Sequence, residues 1–229
     1  MRCPGALSLI TVVHMSGLAS PPPRRLGRRD EYARQTREAV VAAARALFAD
    51  RGFVATTVDD IAASSRVSPG TVYQQCGGKH GLLRTLLSLW ADAPAMSRAA
   101  ARIDHACSGD EVFDVLGAGY LEMYRQFGDV IALGVAVAPH DEESARCLDE
   151  ITANHRVVLI GAARRLRDLA VLGDGTSDDE FADVADFYFG SHGGIRFMAT
   201  NLGWEPERAR TWITTQFARG FGVDVRPDR

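Results

Sequence analysis

Thr57-Val58-Asp59-Asp60-Ile61-Ala62-Ala63-Ser64-Ser65-Arg66-Val67-Ser68-Pro69-Gly70-Thr71-Val72-Tyr73 is the stretch on which the fold turns. Thr57 reads as an N-cap whose hydroxyl serves the free amide of Asp60, and the acidic first turn suits the positive end of a helix dipole. Ser68 reads as a second cap, with Pro69 at the first helical position, where its missing N–H costs nothing. Between the two lies a tight turn, Ser65-Arg66-Val67. Two short helices joined this way make a helix-turn-helix.

Working outward, helical signals continue in both directions. Upstream, Asp30 to Arg51 carries Val40, Ala44, Leu47 and Phe48 at helical spacing until Gly52 stops it. Before that, Pro21-Pro22-Pro23 and Arg24-Arg25-Leu26-Gly27-Arg28-Arg29 read as a flexible basic arm over residues 1–29. Downstream, a fourth helix follows Gly77-Gly78, with Leu82, Leu83, Leu86, Leu87 and Trp90 on its buried side. Beyond residue 91, further helices are expected from Glu111 to about Phe127, from Asp141 to Leu172, and from the capping box Ser177-Asp178-Asp179-Glu180 to about Thr200. Glu205-Pro206-Glu207 starts the last, where Ala209, Trp212, Ile213, Gln216, Phe217 and Gly220 share a face. The expected fold class is all-α: a helix-turn-helix domain over residues 30–90, then a larger helical domain over residues 91–229.

Composition agrees with that division. The 229 residues carry a formal charge of −3, but residues 1–90 hold 12 Lys+Arg against 6 Asp+Glu and the remainder 14 against 23. A basic first third is what phosphate binding needs, while an acidic remainder stays off nucleic acid. Cys3, Cys76, Cys107 and Cys147 form neither a CxxC pair nor a Cys/His cluster at zinc spacing, so no disulfide framework, metal or other cofactor is expected, and a reducing cytoplasm fits. No run approaches the roughly 18 apolar residues of a membrane helix. At the start, Arg2 and the apolar Ala6 to Val13 imitate a short signal peptide; the other reading is a translation start at Met15.

From Thr36 to about Trp90, the ordered set Ala46-Leu47-Phe48, Gly52-Phe53, Thr57-Val58-Asp59-Asp60-Ile61-Ala62, Val67-Ser68-Pro69-Gly70-Thr71-Val72-Tyr73, Lys79 and Leu82-Leu83 resembles the DNA-binding domain of the TetR family. The resemblance implies a homodimeric transcriptional regulator, acting as a repressor on a palindromic site in double-stranded DNA and released by a small-molecule effector. It also implies DNA binding for the domain at residues 30–90, effector binding with dimerisation for the domain at residues 91–229, and phosphate or groove contacts from Thr57, Ser68, Thr71, Tyr73 and Lys79. Pro69 and Gly70 open the third helix, and Gly70 lets it approach the major groove closely, where Thr71 can reach phosphate, a base edge or a thymine methyl. Arg66 and the end of the third helix, Gln74-Gln75-Cys76, depart from the family pattern. Arg66 stands where a small residue is usual and either adds a phosphate contact or faces solvent. Cys76 replaces an aromatic and reads as a small buried apolar residue. Gln74 or Gln75 either hydrogen-bonds adenine or is solvated.

The C-terminal half offers patterns rather than motifs. Family resemblance implies dimerisation through the last two helices, and Gly190, Ser191, Gly193 and Gly194 facing Trp212 and Phe217 would allow close packing there; the alternative is a break within one chain's core. Phe113, Tyr120, Tyr124 and Phe127 fall along one face of a helix, and His155 interrupts an apolar face made by Ile151, Val158, Ala162 and Leu166. This is either an effector pocket with aromatic walls and a few polar groups, or core packing with His155 hydrogen-bonded internally. Two rival functions are weaker. An enzyme needs a nucleophile with its base or clustered ligands, and His140-Asp141-Glu142-Glu143 is better explained as a charged first turn. An architectural DNA binder should be basic throughout.

Overall fold

The computed structural model describes residues 27–223. The proline run, the signal-like segment and Met15 lie outside them. Among the described residues there are ten α-helices, one short 3-10 turn and no strand: α1 (Arg28–Ala55), α2 (Val58–Ser65), α3 (Pro69–Cys76), α4 (Gly78–Ala91), α5 (Ala95–His105), α6 (Gly109–Val137), α7 (Glu142–Asp168), α8 (Asp178–Phe189), α9 (Gly194–Leu202) and α10 (Pro206–Gly220), with the 3-10 turn Ala138–His140 between α6 and α7. None of these helices is long and apolar enough to cross a membrane.

Local chemistry sets most of the boundaries. Arg28 and Arg29, expected in the arm, already belong to α1, whose start is tied by the Gly27 N–H donating to Asp30 Oδ2 at 3.3 Å. Gly52, at φ 79°, breaks α1 three residues before its end, which places the stop where the sequence puts it. Ser108, Asp141 and Ser177 cap α6, α7 and α8 through side-chain oxygens that accept the N–H groups of Glu111, Ser144 and Glu180. Each such cap contributes about 1 kcal/mol.

Two expectations for the second half need correction. α5 adds a helix to those expected: its buried residues are Ala95, Met96, Ala99 and Ile103, a stripe too short and too alanine-rich to stand out in the sequence. The helix expected from Asp178 to Thr200 is two helices. At Gly190 the backbone turns extended, and Gly194, at φ 60°, restarts the chain as α9. A Cβ at Gly194 would lie 2.8 Å from the Tyr188 carbonyl oxygen, so the break requires glycine there.

α6 is the hub, packing against α1, α4, α5, α7, α9 and α10. Its N-terminal part shares an aromatic cluster in which Phe113, Phe181, Phe217 and Phe221 lie with ring centres 5.0 to 6.5 Å apart. Its C-terminal part meets the first four helices: Leu87 and Trp90 of α4 pack on Gly134, and Arg45 of α1 forks onto Asp129. In that pair Nε and Nη2 each donate to a carboxylate oxygen at 2.6 Å, Nη2 also reaches the Gln126 carbonyl, and the guanidinium lies 5.7 Å from the centre of the Phe127 ring. Burial works against ionising Asp129, but the Arg45 hydrogen bonds and charge outweigh it and hold the carboxyl below its ordinary value. Arg84–Glu143 and His80–Asp141 join α4 to α7 and its cap residue in the same seam.

Candidate nucleic-acid interface and effector cavity

The helix-turn-helix is assembled by side-chain caps. Thr57 Oγ1 accepts the Asp60 N–H at 3.1 Å and donates to Asp60 Oδ2 at 2.6 Å, while Asp60 Oδ2 accepts the Thr57 N–H at 3.0 Å. The N-cap read from the sequence is thus one half of a capping box, closed in both directions. Arg66 ends α2 in the left-handed conformation, φ 58°, and the Val67 N–H returns to the Ala62 carbonyl at 3.0 Å, the long bond of a Schellman-type stop. Ser68 Oγ accepts the Thr71 N–H at 3.1 Å and lies 2.9 Å from Thr71 Oγ1.

α3 then has two faces. Val72 and Cys76 are buried against the core, while Pro69, Gly70, Tyr73 and Gln74 are exposed and Thr71 and Gln75 half-buried. Cys76 fills the core as a small apolar residue, and burial pushes its thiol pKa up. No packing demand explains Gly70, because a Cβ there would meet only Ser68 Oγ, at 3.7 Å. The Tyr73 ring lies against Gly78, where a Cβ would stand 2.7 Å from Cε1, so the ring is propped while 60% of the residue stays exposed.

Lys79 is placed differently from the expectation. Its ammonium turns inward and donates to the carbonyls of Phe53 at 2.8 Å and Thr56 at 3.1 Å, with Val54 at 3.4 Å, and it sits 4.5 Å from the centre of the Phe53 ring. Thr56 Oγ1 donates to the Gly52 and Leu47 carbonyls. Together they satisfy carbonyls on either side of the break at Gly52. A phosphate contact asks the same ammonium to face outward.

The second half holds a cavity of ≈ 30 Å³ whose walls include Trp90, Tyr120, Tyr124, His155, Phe189 and Ser191. Tyr120, Tyr124 and His155 are thus brought together as expected. Phe113 and Phe127 are not among the walls: Phe113 is in the aromatic cluster and Phe127 lies beneath Arg45. Tyr120 stacks on Phe189 with ring centres 5.1 Å apart, and His155 stands edge-on to Tyr120 at 6.1 Å and to Trp90 at 6.3 Å. Tyr120 Oη is buried with no hydrogen-bond partner. Burial lowers the His155 pKa to about 4 and raises that of Tyr120. Phe189, Gly190, Ser191, Ile195 and Arg196 also line the cavity; sequence reading missed them as wall residues because it ran one helix through the break that brings them there.

Of the proposed interface residues, Phe217 is 1% exposed inside the aromatic cluster, and Gly190 and Gly194 flank the break rather than present a helix face. The small-residue patch is therefore a break within the chain. Trp212 is half exposed beside Trp204, and Phe187, Phe197 and Leu202 are exposed on the adjoining α8 and α9.

Residues 40–86, which span the last part of α1, the helix-turn-helix and most of α4, match the family model described as bacterial regulatory proteins, tetR family. These residues form a DNA-binding domain of the TetR type. The chain is a DNA-binding transcriptional regulator. A curated relative, the HTH-type transcriptional regulator UidR of Escherichia coli K12, is 23% identical over 146 residues, 64% of this chain and 72% of the relative. TetR-type architecture extends over most of the chain. The fatty acid degradation regulator FadR from Bacillus halodurans superposes with a TM-score of 0.66 at 11% identity, covering 81% of this chain and 95% of that one. The SmeT–triclosan complex superposes with a TM-score of 0.64 at 18% identity, covering 85% and 99%.

Proposed function

We propose that the chain is a homodimeric, cytoplasmic repressor that grips a palindromic or near-palindromic operator through paired α3 helices and releases it when a small molecule occupies the cavity at Tyr120. The observation that carries this reading is the polarity of α3: Val72 and Cys76 anchor one side in the core, while Pro69, Gly70, Tyr73 and Gln74 leave the other side free for a groove. Thr57, Arg66, Ser68 and Thr71 lie at the ends of α2 and α3, which supports a role for them on phosphates flanking the groove. One short helix contacts few bases, so a two-fold dimer is needed for selectivity. The exposed Phe187, Phe197, Leu202 and Trp212 supply an apolar face for it. Fluorescence anisotropy on DNA from upstream of its own gene, against random DNA over a salt series, tests the proposal. A site-specific repressor should prefer one fragment by at least about 10³. Equal affinity for both would instead identify a nonspecific architectural binder.

A further inference from the structure

We propose that the cavity at Tyr120 takes a small, uncharged ring compound carrying one hydroxyl group, a ligand of the phenol class. This rests on the reading of the cavity as the effector site. The inner wall at Tyr120 and His155 disfavours charge. Tyr120, His155 and Asp186 are the titratable groups lining the cavity whose ionisation is displaced, and burial drives all three toward the neutral form: the tyrosine and the aspartate upward, the histidine downward. Surroundings that resist two acids and one base alike would resist a charged ligand of either sign. Arg196, the cation of the lining, already spends its Nε on the Ser191 carbonyl at 2.9 Å.

Shape and hydrogen-bonding capacity narrow the class. The Tyr120 and Phe189 rings are stacked within 19° of parallel, with Trp90 and His155 edge-on nearby, so flat aromatic surfaces make up much of the wall. Tyr120 Oη is a buried hydroxyl without a partner, and a neutral imidazole offers one N–H and one lone pair. A ligand hydroxyl can accept from Tyr120 and donate to His155, satisfying both at once. An open space of ≈ 30 Å³ holds about two waters. A single ring therefore needs the walls to part, and a ligand that needs the parted arrangement necessarily favours it.

The test is calorimetric titration of the full-length dimer at neutral pH with four matched probes: p-cresol, p-toluate, p-methylbenzylammonium and toluene. Saturable binding of p-cresol is expected, about tenfold or more tighter than either charged probe. Tyr120→Phe should weaken p-cresol by about tenfold, leave toluene within about twofold, and leave the melting temperature unchanged or raised, because the hydroxyl it removes has no partner. Thr152→Phe, which fills the cavity from α7, should abolish binding of p-cresol. A charged probe that binds as tightly as p-cresol and is lost in Thr152→Phe overturns the ligand class while the cavity stands as the site. Binding of any probe that both variants leave untouched overturns the cavity itself, and binding of none overturns the class.

Discussion

Lys79, expected to contact phosphate, has its ammonium turned onto backbone carbonyls instead. Three carbonyls at the broken end of α1 take its donors, so Lys79→Met should cost about 1–3 kcal/mol of stability. The denaturant midpoint should fall, while the salt slope of operator binding should change by less than one ion per half-site. A loss of one full ion with stability intact would return the ammonium to a phosphate. His155 gives a pH dependence whose sign follows from burial. Its pKa is about 4 in the folded chain against 6.5 when free, so the unfolded chain binds the extra proton between those values. The stability of the neutral ring is complete above pH 6.5 and drains as pH falls toward 4, by on the order of 3 kcal/mol. Asp186 and Arg196 share the cavity with it and Arg156 adjoins it in sequence. Chemical denaturation across that window should show the loss in wild type and its absence in His155→Gln.

At the level of helices, the turn before α3 carries strain that a glycine would relieve. Arg66 holds φ 58° at a cost of about 1 kcal/mol, which Arg66→Gly should return as added stability in equilibrium unfolding. Operator affinity across salt separates the two readings of its side chain: a slope smaller by about one per half-site marks a phosphate contact, and no change marks a solvated residue. The first four helices were legible because capping is local; Thr57 with Asp60, Ser68 with Thr71 and the stop at Gly52 each depend on residues within a few positions. α5 was not, since alanines give periodicity little weight. Residues 178–200 differ from the single helix expected for a physical reason as well. The capping box at Ser177 announces a start, but whether a glycine cluster continues a helix or ends it depends on what the backbone meets, here the Tyr188 carbonyl beside Gly194. Phe217 illustrates the same limit: spacing places it on an apolar face of α10, and only packing reveals that Phe113 and Phe181, not a second chain, cover that face.

For the molecule as a whole, assembly is the property most open to test. Phe187 is 78% exposed, so Phe187→Glu should fold normally yet sediment as a monomer and bind operator at least about tenfold more weakly. A persistent dimer would move the interface elsewhere. The Arg45–Asp129 fork has a consequence that reaches beyond the protein. It ties α1 to α6, and α6 packs in turn on α9 and α10, which contribute to the apolar face offered to a second subunit. In a dimer on B-DNA the two recognition helices must sit about 34–36 Å apart. The angle fixed at Asp129 therefore sets how many base pairs separate the operator half-sites. Wild type should lose about tenfold in affinity when one base pair is inserted between half-sites, and Asp129→Asn should tolerate the insertion nearly as well as the native spacing. The Tyr124 ring, a wall of the cavity, lies against Gly128, where a Cβ would stand 3.0 Å from it, one residue before that aspartate. A ligand pressing on Tyr124 would therefore act on the distance between the half-sites.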